Sequence, residues 1–280
     1  LAKQLKADSL RTILVISDGL NANGSELVKG FQSVLGDVPI VGGLAGDGFG
    51  FVKTLQLFNE TVSDNQVIAV GLYGNALITS SGALGGWRPY GPPRKVTKSE
   101  KNVVFEMDGK PALPLYRMYI GEAFARGLPG TGLNFPLAII EEGKRDVEKI
   151  RTLLAIDNKN NSLTFAGNVE EGETVRLCQT NHDRLVEGAG NAANLVMNGL
   201  SVSKTNQVGL ALCVSCVGRK GVMGENVSDE IKLVQQILGS QTSVAGFYSY
   251  GEIAPRPNTT DSVLHNQTMT IGYLSENLLA

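Results

Sequence analysis

Val41-Gly-Gly-Leu-Ala-Gly-Asp47 and Val244-Ala-Gly-Phe-Tyr-Ser-Tyr-Gly-Glu252 are the two stretches that decide the fold, because they hold the same place in two copies of one pattern. Each is predicted to be a buried strand that runs into a glycine-rich corner, and each corner ends with glycine followed by an acidic residue. Roughly the first 75 and the last 75 residues follow this shared plan, and such self-similarity indicates an internal repeat. The sequence therefore predicts a duplicated fold.

Working outward, each copy begins with an apolar strand, Thr12–Ser17 in the first and Val208–Val214 in the second. Apolar residues then recur at helical spacing in both copies, which predicts one amphipathic helix in each. Gly36 and Gly239 follow these helices, and glycine readily takes the left-handed conformation that ends a helix. The glycine-rich stretches come next.

A further strand is predicted after each glycine-rich stretch, with Phe58-Asn-Glu-Thr61 in the first copy and His265-Asn-Gln-Thr268 in the second. In the first copy the chain turns at Ser63-Asp-Asn65 and returns as Val67–Tyr73. The repeated unit is thus β-α-β-β. Two such units bury their sheet faces most easily when they pair about a pseudo-two-fold axis, so we expect the two glycine-rich stretches to face each other.

The region between the copies has a different pattern. Gly85–Lys95 is rich in glycine and proline and is interpreted as an irregular linker, and Arg151–Phe165 alternates around a turn, which predicts a hairpin. A strand is predicted at Val103–Met107 and a helix at Asn181–Leu200. The predicted fold class is α/β (mixed α+β): duplicated β-α-β-β units with mixed sheets and a central insert that contains a β-hairpin and helices.

Composition excludes several classes of function. The chain of 280 residues has a formal net charge of -2, so it has no basic stripe for nucleic acid and no polybasic segment for a lipid surface. No apolar run reaches the roughly 20 residues that span a bilayer. Three cysteines are too few and odd in number for a disulfide framework, which favours a reducing, cytoplasmic location.

Several segments resemble the signature sequences of FIST domains, and together they cover essentially the whole chain. The combination of the Gly-Phe-Tyr-x-Tyr-Gly-Glu stretch with a following His-Asn-Gln-Thr is the most specific of them. The resembling segments are Pro39–Asp47, Gly86-Trp-Arg-Pro-Tyr-Gly91, Met107-Asp-Gly-Lys-Pro-Ala112, Ile150-Arg151, Cys216-Val-Gly-Arg219, Gly246–Glu252 and Leu264-His-Asn-Gln-Thr268.

The resemblance implies a FIST N-type region over residues 1–110, incomplete at its N-terminus, and a FIST C-type region over residues 111–280. FIST domains occur in bacterial signalling proteins beside kinases, cyclases and chemoreceptor outputs. The resemblance therefore implies a non-enzymatic sensory domain that binds a small molecule, such as an amino acid, and passes the signal to a partner kinase or output domain. A subset of similar bacterial proteins bind haem and sense nitric oxide.

Aromatic and acidic residues of the second glycine-rich stretch form the first predicted ligand contacts. Tyr248, Tyr250 and Glu252 alternate along an extended segment and so share a face, and Gly251 allows close backbone approach. Aromatic rings with one acid suit a cationic or amine-bearing ligand. The alternative is that the tyrosines pack in the core and Glu252 pairs with an arginine.

The polar run His265, Asn266 and Gln267 is the second predicted group of contacts. Burying so many polar groups is costly unless each is hydrogen-bonded, so the run indicates either a ligand or a fixed network that shapes a pocket. A haem iron would need an axial imidazole, and His265 is the candidate for that alternative. No other cofactor is expected.

The remaining candidates are charged, thiol or lining residues. Arg219 next to Cys216 would favour the thiolate, and Arg219 and Arg151 suit a carboxylate, with salt bridges to Glu252 or Asp47 as the structural alternative. Cys213 and Cys216, three apart on a strand, point to opposite faces and are not a redox pair. Three further residues complete the predicted ligand-binding set: Gly43, Asp47 and Trp87.

Three hypotheses follow for the function. The chain is a sensory small-ligand-binding domain, or a haem-binding nitric oxide sensor, or a scaffold for signalling partners that binds nothing small. The glycine-rich stretch at Gly42–Asp47 is not followed by a helix, so it lacks the positive helix end that a phosphate loop needs. No hydrolase or protease motif is present.

Overall fold

The structure is a computed structural model that describes residues 1–140, 149–200 and 208–277. The chain forms two compact units, one made of Leu1–Gly86 with His182–Ala280 and the other of Trp87–Asn181. In the described residues no helix is both long and apolar enough to cross a membrane. The predicted boundary between residues 110 and 111 concerns family regions, and it stays a prediction.

The elements follow one another in this order. Up to residue 120 they are α1 (Ala2–Leu5), β1 (Leu10–Ser17), α2 (Gly24–Leu35), β2 (Ile40–Ala45), β3 (Gln56–Phe58), β4 (Thr61–Ser63), β5 (Val67–Tyr73), β6 (Leu77–Leu84), β7 (Arg88–Glu100), β8 (Val103–Met107), β9 (Lys110–Pro111) and α3 (Ala112–Ile120). They continue with α4 (Glu122–Ala125), β10 (Leu137–Ile140), β11 (Lys149–Arg151), β12 (Leu153–Asp157), β13 (Ser162–Phe165), β14 (Thr174–Gln179), α5 (His182–Gly199), β15 (Gly209–Cys216), α6 (Val217–Met223), α7 (Ser228–Leu238), β16 (Thr242–Pro255), β17 (Ser262–His265) and β18 (Met269–Glu276).

The predicted duplication is visible in the strand pairing of the first unit. In the first repeat (residues 10–73), β1 pairs parallel with β2 and antiparallel with β5. In the second repeat (residues 209–276), β15 pairs parallel with β16 and antiparallel with β18. Antiparallel pairing of β2 with β16 joins the two repeats into one mixed sheet, ordered β5-β1-β2-β16-β15-β18-β6 with β17 on β16. The two repeats are therefore related by a pseudo-two-fold axis.

The two glycine-rich stretches meet at this junction, as predicted. Gly42 lies opposite Ile253 and Gly43 lies opposite Glu252. A Cβ atom on Gly43 would come within 2.8 Å of both the Gly251 carbonyl oxygen and a methyl group of Val214. Glycine is thus needed at residue 43 because backbone and side chains of the second repeat approach it closely.

The predicted helices are also present. Asn23 caps α2, since its side chain accepts hydrogen bonds from the backbone N–H groups of Ser25 and Glu26. The buried side of α2 packs on β1, β2, β16 and β17. Gly36 and Gly239 follow α2 and α7 at φ values of 62° and 84°, as the C-terminal glycine signal predicts.

Three local predictions were wrong, two in the second repeat and one in the first. Val244–Glu252 is not a corner but part of the 14-residue strand β16, in which a bulge lies between Ser249 and Gly251. His265–Thr268 is not a strand, because β17 ends at His265 and Gln267 has a φ of 62°. Glycine in β16 permits the close approach of β2 rather than a turn. Next to Gln267, the backbone of Thr268 is hydrogen-bonded to Glu252 and Cys216, and these bonds hold Gln267 in the left-handed conformation against its local preference.

The corresponding Phe58–Thr61 segment is a hairpin turn between β3 and β4, with Asn59 at a φ of 53°. Asparagine tolerates the left-handed region, so this turn could have been recognised from the sequence.

The second unit corrects the predicted linker. Residues 88–95 of the Gly/Pro-rich stretch belong to strand β7, which runs on to residue 100 and pairs with β14 and β8. The register shift in the β7–β14 pair falls between Tyr90 and Arg94, and this irregularity accommodates Pro92 and Pro93. The unit is an antiparallel sheet, ordered β11-β10-β14-β7-β8-β13-β12, and α3 packs on its core.

We predict that Gly43→Ala lowers the free energy of unfolding by about 1–3 kcal/mol, because the added methyl group overpacks the β2–β16 junction. The matched control is Gly30→Ala on the exposed face of α2, where a Cβ atom meets nothing within 4 Å. That control should stabilise the protein by about 0.5–1 kcal/mol through helix propensity. Urea unfolding measures both, and equal effects of the two substitutions would contradict the close approach.

Candidate functional site

Glu252 lies at the centre of the junction between the repeats and is fully buried. Its Oε1 accepts a hydrogen bond of 2.6 Å from the Ser249 hydroxyl. Its Oε2 accepts from both the backbone N–H and the hydroxyl of Thr268, at 3.1 and 2.9 Å. The bulge between Ser249 and Gly251 makes the first of these bonds possible, because residues three apart on a regular strand point to opposite faces.

Burial raises the pKa of Glu252 to about 7, against the opposing effect of the Ser249 and Thr268 hydrogen bonds and the charge of Arg219. The carboxyl group therefore exchanges its proton close to neutral pH. The predicted pairing of Glu252 with an arginine is not a direct contact, since the hydrogen bonds of Glu252 go to Ser249 and Thr268.

Cys216 is the last residue of β15 and precedes α6, and its side chain is buried. Burial is the main cause that raises the pKa of its thiol, and the Glu252 carboxyl adds to it. Backbone N–H groups of Gly218 and Gln267 and the charge of Arg219 act in the opposite direction. Arg219 does lower the pKa of the Cys216 thiol, as the sequence led us to expect. Burial raises that pKa by more, so the thiol stays protonated.

Cys213 does not pair with Cys216, and both are free thiols. Burial raises the pKa of Cys213 to about 12, so it behaves as a small apolar side chain in the core formed with α5 and α7. Within the part of the chain that the structure describes, no group of His, Cys, Asp and Glu side chains is arranged to hold a metal ion.

Arg219 forms a buried ion pair with Glu230 of α7, with 2.5 Å between Nη2 and Oε2. Both side chains are fully buried. Arg219 also donates to the backbone carbonyls of Gly85 and Leu185, and the Ser215 hydroxyl donates to Glu230. Arg219 thus forms a structural salt bridge, but its partner is Glu230 and not the predicted Glu252 or Asp47.

Sequence reasoning missed Glu230, which occupies a core position of an amphipathic helix. One signal was available in the sequence. Glu230 lies at a position of α7 that the helical spacing predicts to be buried, and a buried carboxylate needs a cation such as Arg219.

Tyr248 and Tyr250 donate their hydroxyls to different carboxylates. The Tyr248 hydroxyl donates a hydrogen bond of 3.0 Å to Glu230. The Lys220 ammonium group lies over the Tyr248 ring, 5.2 Å from its centroid. Tyr250 bonds Asp47 and the Gly48 carbonyl, and its ring stacks on Phe51. Burial and the Asp47 bond raise the pKa of Tyr250 to about 12. Both rings therefore hold loops and helices to β16.

Asp47 organises the loop that leaves β2. Its oxygens accept hydrogen bonds from the backbone N–H groups of Phe51, Val52 and Lys53 as well as from Tyr250. These hydrogen bonds hold the pKa of Asp47 well below its usual range. Asp47 thus connects the first repeat to the second through Tyr250.

His265, Asn266 and Gln267 are all buried at the end of β17. The Nε2 atom of His265 lies 3.1 Å from the Ala254 carbonyl oxygen, and Asn266 donates to the backbone carbonyl of His265. In the described chain, the Oδ1 atom of Asn266 has no hydrogen-bond partner. An axial bond from Nε2 of His265 to haem iron would require the contact with Ala254 to break.

Arg151 and Trp87 lie in the second unit. Arg151 is buried, and it donates to the backbone carbonyls of Asn168 and Ile150. Trp87, immediately before β7, is also buried, with 6% of its surface exposed. The prediction that these two residues contact a ligand together with the junction residues stays a prediction.

A cavity of about 560 Å³ lies in the first unit and receives side chains from both repeats. We call it the inter-repeat cavity. Hydroxyl-bearing residues are frequent in its wall, and Arg256 is the charged residue among the described lining. Its lining comprises Thr12, Pro39, Val41, Thr79, Ser80, Ser81, Leu195, Gly199, Pro255, Arg256, Asn258, Thr259, Thr260, Gly272, Tyr273 and Leu274. Sequence reasoning missed this site because its residues come from short runs that lie far apart in the chain.

Strand β16 connects the inter-repeat cavity to the junction. Pro255 lines the cavity and lies three residues beyond the buried Glu252 on the same strand. Val41 lines the cavity on β2, and Gly43 faces Glu252 two residues further on. A ligand in the cavity would therefore contact both strands that form the junction.

The fold places the chain among mixed α+β proteins built from two β-α-β-β units that are joined through glycine-rich strands. Sequence comparison then identifies the family. Residues 1–110 match the FIST N domain and residues 112–255 match the FIST C domain. The chain belongs to the FIST domain family, which is associated with sensors of signal transduction. The resemblance inferred from the sequence is thereby confirmed.

The curated relatives that the chain matches are described as uncharacterized proteins. An uncharacterized protein of Mycobacterium bovis is 26% identical over 252 residues, covering 86% of this chain and 62% of its own length. Another from Mycobacterium tuberculosis is 26% identical over 250 residues, with 63% of its length covered. An uncharacterized protein of Methanocaldococcus jannaschii is 37% identical over 86 residues, 30% of this chain and 16% of its own. The chain thus spans less than two thirds of these relatives.

We predict that Arg219→Met alone lowers the free energy of unfolding by about 3–5 kcal/mol, because it leaves the Glu230 carboxylate buried without its partner. Adding Glu230→Leu should recover part of this loss, since neither charge then remains in the core. As a control, Arg126→Met breaks the exposed pair with Glu122 and should cost less than about 1 kcal/mol. Denaturant unfolding of the three variants tests the pair, and a small loss for Arg219→Met would contradict it.

We predict that Glu252→Gln removes a pH dependence of stability. Because the folded pKa of Glu252 is raised to about 7, its contribution is fully present below the ordinary pKa of 4.5 and is lost as the pH rises through about 7. The stability of the wild-type protein relative to the variant should therefore fall between these pH values. Urea unfolding across this range measures the difference, with the exposed Glu122→Gln as control. A difference that rises with pH would contradict the assignment.

Proposed function

We propose that this chain is the sensory module of a signalling protein and that it binds a small molecule in the inter-repeat cavity. The observation that carries the proposal is a cavity of about 560 Å³ walled by both repeats. Pockets for small ligands typically have volumes of about 300–1,000 Å³. Membership of the FIST family supports the sensory role, and the cavity supplies a place for the ligand.

The lining favours a small polar molecule with a carboxylate, such as an amino acid. Arg256 carries a planar guanidinium, the group best matched to a carboxylate, and its Nε lies 3.1 Å from Asp261. An incoming carboxylate would compete with Asp261 for this guanidinium. Hydroxyls of Thr79, Ser81 and Thr260 surround the cavity and suit the remaining polar groups of such a ligand.

Signalling in this proposal follows from the shared wall. A ligand that contacts β2 of the first repeat and β16 of the second stabilises one arrangement of the two strands over others. The predicted ligand contacts Glu252 and Cys216 then belong, with Thr268, to the polar junction that responds to the shift. The partner in the proposal is a kinase or another output domain.

The test is a thermal-shift screen of the standard amino acids and of the amines that lack their carboxylate. A ligand at about 100 times its Kd adds about 2.7 kcal/mol to the free energy of unfolding. In a chain of this size each kcal/mol raises the melting temperature by about 2–4 °C. We expect at least one amino acid to give such a shift, and its decarboxylated amine to give none.

Two variants locate the site. Arg256→Met should abolish the shift, whereas the matched control Arg126→Met, at an exposed arginine outside the cavity, should retain it. Ser81→Phe fills the cavity and should also abolish the shift while the protein stays folded by circular dichroism. The proposal fails if no small carboxylate stabilises the protein, or if both cavity variants respond like the wild type.

A further inference from the structure

Large apolar side chains are concentrated on the surface of one short segment, residues 49–62, which we call the apolar hairpin. Val52 is 82% exposed and Leu57 is 63% exposed. Contiguous exposed apolar surface of this kind marks an interaction site in a folded protein. The exposed apolar residues of the hairpin are Phe49, Phe51, Val52, Leu55, Leu57, Phe58 and Val62.

In the apolar hairpin the polar side chains are buried and the apolar side chains are exposed, the reverse of the usual arrangement. Thr54 and Gln56 are buried, whereas Leu55 and Leu57 between and after them are exposed. The Thr54 hydroxyl donates a hydrogen bond of 2.6 Å to the buried Asp18 carboxylate. The Gln56 side chain accepts a hydrogen bond from the backbone N–H of Gln66. The polar side of the segment is therefore fixed to the protein, and the apolar side is directed outward.

The segment is held in place at both ends, so its exposed side chains are presented in a defined arrangement. At one end, Asp47 accepts hydrogen bonds from three backbone N–H groups and from the Tyr250 hydroxyl. The Phe51 ring also stacks on the Tyr250 ring there. At the other, Asp18 accepts from the backbone N–H of Asn65. Such preorganisation lowers the entropic cost of binding a partner.

Strands β3 and β4 form a sheet of only two strands, each paired only with the other in the described chain. Leu57 lies opposite Val62, so their exposed side chains form an apolar pair on one face of the ribbon. A two-stranded ribbon is at best marginally stable in water, and its open edges invite pairing with another strand.

We propose that the apolar hairpin is the contact surface of a homodimer, occupied by the same hairpin of a second copy of this chain. The seven exposed apolar residues together present roughly 700 Å² of surface per copy. This figure takes about 200 Å² for a fully exposed aromatic residue and somewhat less for Leu and Val. Each partner of a stable protein interface buries about 800 Å².

Charge also fits a second copy. The segment carries one base, Lys53, and one acid, Glu60, so two copies meet without net repulsion. A two-fold axis places the open strand edges antiparallel. Lys53 is paired with Asp64 of its own chain at 3.1 Å, so it adds no repulsion across the contact.

The test is the association state of the whole chain by sedimentation equilibrium at micromolar concentration. We expect a dimer of the 29.7 kDa chain, and at least a tenfold loss of dimer affinity for Leu57→Lys with Val62→Lys. The matched control is Leu210→Lys, which introduces a charge at another exposed leucine, 43% exposed. It should leave the dimer unchanged, and thermal unfolding checks that all variants are folded.

Hydrogen exchange at two protein concentrations locates the interface independently of any variant. Backbone amides of residues 49–62 should exchange more slowly at the higher concentration. A monomer at all concentrations, which is the result if another protein covers the hairpin, overturns the proposal. A dimer that survives the double substitution, or whose protection lies elsewhere, overturns it as well.

Discussion

The antiparallel pairing of β2 with β16 is the constraint on which the rest of the structure depends. It places Gly43 of the first repeat directly opposite Glu252 of the second. A side chain at residue 43 would meet the Gly251 carbonyl and Val214, so the two strands can approach only where the first repeat has glycine. The joined sheet, the cavity between the repeats and the buried polar network all follow from this approach.

Joining two repeats through glycine-rich strands has an electrostatic consequence, because the junction excludes water. A carboxyl group in such a place must be hydrogen-bonded, and Glu252 takes its bonds from Ser249 and Thr268. Nearby, Arg219 and Glu230 neutralise each other and fix α6 against α7 and the Gly85 and Leu185 backbones. Buried polar groups of this kind specify one arrangement of strands and helices more than they add stability.

The chain presents two further surfaces of different chemistry, and each suits one part of a sensor. The inter-repeat cavity carries hydroxyl-bearing residues and Arg256 in its wall and contacts strands of both repeats, so its occupant can bias their arrangement. The apolar hairpin is held by Asp18 and Asp47 with its apolar side outward, so it can bring a second chain into a fixed orientation. Tyr250 links the two, since its hydroxyl holds the Asp47 loop while its backbone belongs to the junction strand.

The sequence by itself determined the duplication, the helices and most strands, because spacing of apolar residues and terminal glycines are local signals that each repeat carries in full. It also indicated that Glu252, His265 and Arg219 lie in demanding polar surroundings. Only the tertiary structure decided their partners, such as Glu230 for Arg219, and the positions that line the cavity. Those pairings join residues far apart in the chain, and their geometry depends on a bulge in β16 and a left-handed Gln267 that no local pattern specifies.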